Sequence, residues 1–225
     1  MFPRWTRSPV SRLVRRLTLS AGLLPATGYF MKLTVEGREH LEHLATPVLF
    51  AANHQSHMDT PAIYHALPPR LRHTVAPAMA KEFFAPHFGL TPASLPLRLA
   101  STASFYFACQ CFNAFPLPQR ESPRAAFRYM RELNADGYSI LIYPEGLRSD
   151  SDRILPFKRG VGMLAIHLNL PVVPIRLEGL EKVLHKNARW AKRGPARVAF
   201  GAPLFPNGDD AGAFTDRIEA AVRAL

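Results

Sequence analysis

The 225 residues include only two cysteines, Cys109 and Cys111. In Phe107–Phe112 they stand two apart, so on a strand they would point to opposite faces and would not bridge. With no further thiols, neither a disulfide framework nor a cysteine-based zinc site can be built, and two buried thiols are expected. Also missing are G-x-x-x-x-G-K-[ST] and G-x-G-x-x-G, the loops that cradle nucleotide phosphates on backbone amides. No Gly-x-Ser-x-Gly turn surrounds a serine, which removes the nucleophile-elbow hydrolases. There is no internal repeat, no low-complexity linker and no recognisable nucleic-acid-binding module.

Acids are scarce at the N-terminus: Arg4, Arg7, Arg12, Arg15 and Arg16 come before any Asp or Glu. A charge-free, mostly apolar run of fifteen residues follows, Leu17 to Met31, broken by Gly22, Pro25 and Gly28. Spanning a bilayer takes roughly 20 residues, so this run suits shallow insertion at an anionic membrane face. A helix packed on the rest of the protein is the plainer alternative. Pro25 and Gly28 speak against a secretory signal core, and a transit peptide shares the Arg-rich, acid-poor start.

The whole chain carries a net charge of +11, from 28 basic and 17 acidic residues. Such a charge needs an anionic partner: a lipid surface, coenzyme A phosphates, an acidic carrier protein or a nucleic acid. Scattered basic residues make nucleic acid the least favoured. With 48% apolar and 20% charged residues, the composition is that of a globular chain, long enough for one domain with a substantial core. Helical patterns alternate with buried-strand runs. The expected fold is therefore α/β, a single domain with a mixed, largely parallel sheet flanked by helices, covering 32–225 behind a membrane-associating segment 1–31. One helix is punctuated by Ser122, Pro123 and Asp136-Gly137. The last helix should span about Ala211 to Ala224.

The chemistry concentrates in Asn53-His54-Gln55-Ser56-His57-Met58-Asp59, just after the strand-like run Pro47–Ala52. A histidine at a strand end with a carboxylate in reach is a candidate general base with its orienter. Five positions on a continuous helix would leave His54 and Asp59 roughly 140° apart. They meet only if His54 lies in the turn and Asp59 in the first helical turn, with Ser56 as N-cap. The bland alternative is a capping box in which Asp59 serves backbone amides. Read as metal ligands, His54, His57 and Asp59 lack a matching second set among the other histidines, and no metal is expected.

A second cluster, Tyr143-Pro144-Glu145-Gly146-Leu147-Arg148-Ser149, follows the apolar run Ile140–Tyr143. Pro144 ends the strand, Gly146 permits a tight turn, and Arg148 offers a planar fork for a phosphate, with Lys158 and Arg159 nearby. The plain alternative is a solvated surface turn. Phe112–Arg120 lies between the clusters. Leu170–Ile175 follows them, and its prolines point to an edge, a bulge or a strand start. The apolar residues of Lys81–Ala108 are either core or the lining of an acyl tunnel.

Taken together, these segments resemble the glycerolipid (lysophospholipid) acyltransferases. That family is marked by N-H-x-S-x-x-D, an arginine-bearing block, F-P-E-G-T-R-S and a V-P-hydrophobic strand. The resemblance runs from about Lys32 to the C-terminus, including Val198–Pro203. Two departures stand out: Leu147 replaces the usual threonine, and the second block is one residue longer than usual. The resemblance implies that His54, oriented by Asp59, deprotonates an acceptor hydroxyl, which attacks the thioester of acyl-coenzyme A or acyl-carrier protein. No other cofactor is implied. The acceptor would be a lysophospholipid, most often 1-acylglycerol-3-phosphate giving phosphatidic acid, although other lysolipids or amino-acid lipids share the blocks. Arg120 (alternatively Arg124), Arg148 and Lys158 would bind the acceptor phosphate. Glu145, beside Gly146, would accept from acceptor hydroxyls or anchor the arginines. Such an enzyme would work at the cytoplasmic membrane face, peripheral or monotopic. Outside this resemblance, a metal-dependent hydrolase and a basic nucleic-acid-binding protein remain the readings from other classes.

Overall fold

The computed structural model describes residues 2–119, 124–149, 153–185 and 187–225. Among the described residues, seven strands form one sheet: β1 (Met31–Glu36), β2 (Leu49–Ala52), β3 (Val75–Ala80), β4 (Phe115–Leu117), β5 (Ser139–Ile142), β6 (Val172–Glu178) and β7 (Gly194–Phe200). Their order is β1-β7-β6-β2-β5-β3-β4. Every pairing is parallel except β6 with β7. The expected α/β domain with a mixed, largely parallel sheet is what the chain forms.

Central β2 shows why. Its four residues are all fully buried, and their side chains alternate between two cores. Phe50 and Ala52 join one core with Ala62 and Ile63, whereas Leu49 and Ala51 join the other with Leu133, Leu164 and Phe214. A strand covered on both faces reads as a continuous apolar run, as Pro47–Ala52 does.

Helices supply the two covers: α1 (Pro9–Leu17), α2 (Leu24–Gly28), α3 (Asp59–Ala66), α4 (Pro69–Arg72), α5 (Leu95–Phe112), α6 (Arg124–Ala135), α7 (Gly160–Leu168), α8 (Leu180–Val183) and α9 (Ala211–Ala224). The last matches the expected bounds. The end of α6 is as expected, with Gly137 left-handed at φ +81°; Ser122 and Pro123 lie outside the described residues.

One expectation needs correcting. Cys109 and Cys111 lie on α5 rather than on a strand. Both are nonetheless buried and unbridged. A nearly charge-free apolar run fits either element, because periodicity is faint when a helix is apolar on several sides. Of the three readings left open for Leu170–Ile175, the edge is excluded, since the segment yields the interior strand β6, and the bulge holds. Its proline sits at a bulge. Between the pairs Val172–Leu204 and Ile175–Phe200, two residues of β6 face three of the other chain segment. Pro174, with no N–H to give, occupies that interruption.

The N-terminal segment divides its residues between core and surface. Leu19 and Leu24 are in the main core. Arg4 and Arg7 pair with Glu132, Arg7 also with Asp136, and the buried Arg15 donates to the carbonyls of Thr6 and Gln110. Arg12 and Arg16 stay exposed beside Val10, Leu13 and Leu17. Among the described residues, no helix is long and apolar enough to cross a membrane.

Candidate active site

β2 delivers Asn53 and His54 to the end of the sheet. The Asn53 amide accepts from Leu177 N at 2.7 Å and donates to Leu177 O at 2.9 Å. It thus extends the ladder by one side chain, and the next residue emerges at a fixed place. His54 Nδ1–H donates to Asp59 Oδ2 at 2.7 Å, and the carboxylate is fully buried. That bond leaves the Nε2 lone pair available on a ring that lines a cleft. The same Oδ2 accepts from Gln55 N at 2.7 Å and Ser56 N at 3.0 Å. The orienting and the capping readings of Asp59 therefore hold together: backbone amides fix the carboxylate, and the carboxylate fixes the imidazole. Ser56 is not the N-cap, since α3 begins at Asp59 after Met58. Its hydroxyl instead accepts from Met58 N and donates to Leu184 O at 2.6 Å, which ties the loop to α8.

Glu145 departs from expectation. Its Oε1 accepts from His54 N at 2.7 Å and its Oε2 from Leu155 N at 2.8 Å. No arginine among the described residues is bonded to it; it clamps backbone, and at 3% exposure it is out of the solvent. Burial raises its pKa against the pull of those two amides. Gly146 meets the expectation of a tight turn, with φ +70°. A Cβ there would stand 2.8 Å from Lys158 Cε, so the glycine also makes room for the lysine.

Arg148 and Lys158 both line the cleft. The Arg148 guanidinium lies 5.5 Å over the Phe83 ring and donates to His57 Nε2. Loss of hydration in the cleft wall, and then the neighbouring guanidinium, push His57 down to about 4, so its ring is the neutral acceptor this contact requires. With His54 Nδ1 on Asp59 and His57 Nε2 on Arg148, the metal-ligand reading does not form. Among the described residues, no three ligating groups converge. Arg120 lies outside the described residues, but its neighbour Gln119 donates to Gly146 O at 2.8 Å, which ties the second block to the third. Arg124 starts α6 exposed and is not among the cleft-lining residues.

The cleft has a volume of about 880 Å³ and is mainly apolar, with Phe84, Phe107, Phe112, Met130 and Leu164 in its wall. Part of Lys81–Ala108 therefore lines it, while Phe105 and Cys109 pack as a small core. Two residues beside His54 were not legible in sequence. The Tyr143 ring stacks on His54, centroids 4.2 Å apart and 22° between planes. The Tyr143 hydroxyl bonds Thr60 Oγ1 at 2.8 Å. A tyrosine ending an apolar strand reads as core, and only the fold puts it against the imidazole.

Comparison with known proteins identifies the family. A family model described as Acyltransferase matches residues 32–178. The chloroplastic 1-acyl-sn-glycerol-3-phosphate acyltransferase of Brassica napus is 27% identical over 209 residues, 91% of this chain and 53% of that protein. The human 1-acyl-sn-glycerol-3-phosphate acyltransferase beta is 25% identical over 193 residues, 83% of this chain and 62% of that protein. The chain thus spans about half to three fifths of the length of these curated relatives. The crystal structure of the 1-acyl-sn-glycerophosphate acyltransferase of Thermotoga maritima superposes with a TM-score of 0.66 at 21% identity, over 96% of this chain and 78% of that one, which establishes the shared fold. With the family match covering most of the domain and both outer motif blocks, the chain belongs to the acyltransferase family.

Proposed function

We propose that the protein transfers a fatty acyl group from a thioester donor to the free hydroxyl of 1-acylglycerol-3-phosphate. The observation that carries this reading is the 2.7 Å His54–Asp59 pair on a mostly apolar cleft that also holds two cations, Arg148 and Lys158. In this reaction His54 Nε2 takes the acceptor's hydroxyl proton as the oxygen attacks the thioester carbonyl. A C–O bond forms, the C–S bond breaks, and the proton passes from the imidazolium to the departing thiolate. Asp59 keeps the imidazole in the tautomer with a free Nε2 and stabilises the imidazolium. General-base help of this kind is worth about 10²–10⁴-fold; holding both substrates in register supplies much of the rest.

Arg148 and Lys158 bind the acceptor phosphate, with Arg120 the third cation offered by the sequence. Glu145 holds the His54 backbone and does not touch the substrate. The donor is acyl-coenzyme A or acyl-carrier protein, either of which suits the net charge of +11, and the chemistry needs no further cofactor. The acceptor lies in a bilayer, so the enzyme works at a membrane surface, in this reading the cytoplasmic face, through its basic N-terminal helices.

The test is transfer from labelled long-chain acyl-coenzyme A, and separately acyl-carrier protein, to 1-acylglycerol-3-phosphate. His54→Ala should abolish transfer in a folded protein. Asp59→Asn, which loses the correct tautomer, should lower kcat by about 10⁴-fold, the size seen when a triad acid is replaced this way. Full activity in a folded His54→Ala variant refutes the mechanism.

A further inference from the structure

Trp190 is 84% exposed, more than any other large apolar side chain among the described residues. The sequence around it is cationic, with Lys182, Arg189, Lys192 and Arg193 and no Asp or Glu from Lys182 to Gly208. Those four cations are exposed, as are Asn187 and Ala188. Lys192 N donates to Val183 O at 2.7 Å, which closes the base of the loop that carries them. A second aromatic joins from another segment. The Arg193 guanidinium lies 4.6 Å over the ring of Tyr29, itself 61% exposed. A lone exposed ring needs no explanation, but two rings set among cations form a patch.

The sheet places this patch at the end where His54 stands. β2 ends beside Leu177 of β6, where Asn53 closes the ladder and His54 emerges. β7 runs antiparallel to β6, with Arg197 opposite Glu178, so β7 enters the sheet at that same end. β1 is parallel to β7 and enters there too, with Met31 opposite Gly194. The residues just before these two strands, Tyr29 and Arg193 among them, therefore flank the His54 end of the sheet. Leu184 fixes the connection, since its carbonyl accepts from the Ser56 hydroxyl of the His54 loop at 2.6 Å.

An acceptor lying in a bilayer brings its hydroxyl to His54 when this end of the sheet faces the membrane. Resting on the acyl-transfer reading and deepening it, we propose that the Trp190 loop, with Tyr29, docks on the headgroups of anionic lipid and sets that orientation. Trp and Tyr rings settle at the boundary between headgroups and acyl chains. Lysines and arginines gain from the negative surface of such a leaflet. A ring so exposed on a loop finds no concave seat for a rigid partner, whereas a soft interface takes it up from every side. This is a second contact, distinct from the exposed Val10, Leu13 and Leu17 of α1.

Trp5 and Trp190 are the only tryptophans, so Trp5→Phe makes Trp190 the sole reporter. With phosphatidylglycerol vesicles its emission should shift to shorter wavelength and be quenched by lipids brominated high on the acyl chain. Phosphatidylcholine vesicles should produce much less. Lys192→Gln with Arg193→Gln should weaken sedimentation with phosphatidylglycerol vesicles by about tenfold or more, each cation contributing about fivefold. Trp190→Ala should weaken it as well. Both variants should keep transfer from acyl-coenzyme A to 1-acylglycerol-3-phosphate in detergent micelles, which also shows that they fold. Trp190 emission unmoved by phosphatidylglycerol vesicles overturns this inference, as does a shift produced by acyl-carrier protein and not by vesicles. Wild-type sedimentation of both variants overturns it too. If the unsubstituted protein transfers nothing in micelles, the acyl-transfer reading fails, and emission and sedimentation then decide the lipid contact alone.

Discussion

Glu145 and His54, 91 positions apart in sequence, are joined by a carboxylate that accepts the His54 backbone N–H at 2.7 Å. From the same turn, Ser149 N donates to His54 O at 2.9 Å. The peptide that carries His54 is thus gripped on both sides by the third motif block, and Glu145 holds Leu155 N as well. Glu145→Ala should strand two amides, each costing about 1–3 kcal/mol if it stays buried. Glu145→Gln keeps one acceptor oxygen and should fall between. Thermal unfolding and kcat should drop together across this series. A fall in acceptor affinity alone, with stability intact, would restore Glu145 as a substrate contact.

Gly146→Ala tests the turn and the lysine at once. The left-handed backbone costs a residue with a Cβ about 1–2 kcal/mol, and the methyl must displace Lys158. The KM for 1-acylglycerol-3-phosphate should rise more than that for acyl-coenzyme A. In a double-mutant cycle with Lys158→Ala, the two effects on acceptor KM should be far from additive, because the first acts through the second. Additive effects would mean that the lysine position does not depend on the glycine.

His57 carries a pH prediction whose sign can be worked out. Its folded value is pushed down to about 4 against an ordinary 6.5. Between those values the unfolded chain binds a proton that the folded protein refuses, so folding stability falls as pH drops from 6.5 toward 4. His65, His73 and His87 are also lowered, each first by burial, and act in the same direction. Denaturant midpoints should decline steadily from pH 7 to 5, and His57→Gln should flatten the slope. A His57 ring that titrates near 6.5 by NMR would break the neutral-acceptor contact with Arg148.

Much of this site was legible because its blocks follow strands buried on both faces, which sequence marks as short apolar runs closed by polar turns. Pro47–Ala52 gave β2 and the placement of His54, and Ile140–Tyr143 gave β5. Asp59 was legible only as two alternatives, since one carboxylate oxygen does both things. What stayed hidden depends on tertiary geometry. Asn53 closing the ladder to Leu177, Tyr143 stacking on His54 and Arg148 turning to His57 each join residues about 90 or more positions apart. The α5 helix was misread around its cysteines because an apolar helix hides its period.

The N-terminal helices offer the last prediction, and their packing decides how it must be tested. Deleting residues 1–31 would remove Leu19, Leu24 and Met31 from the core, so lost membrane binding could follow from unfolding alone. Point changes avoid this. Val10, Leu13, Val14 and Leu17 are exposed on α1 at helical spacing, beside the exposed Arg12 and Arg16. An apolar stripe flanked by cations suits the boundary between headgroups and acyl chains. Near an anionic surface each arginine is worth about 1 kcal/mol. Arg12→Gln with Arg16→Gln should therefore weaken sedimentation with phosphatidylglycerol vesicles by about tenfold or more, and should barely alter binding to neutral phosphatidylcholine. Leu13→Ser with Leu17→Ser removes apolar contact that does not depend on lipid charge, so it should weaken both. Retention of wild-type partitioning by both folded double variants would show that this face does not meet the membrane. The apolar membrane contact would then have to be sought on the exposed Leu95, Leu97 and Leu99 of α5.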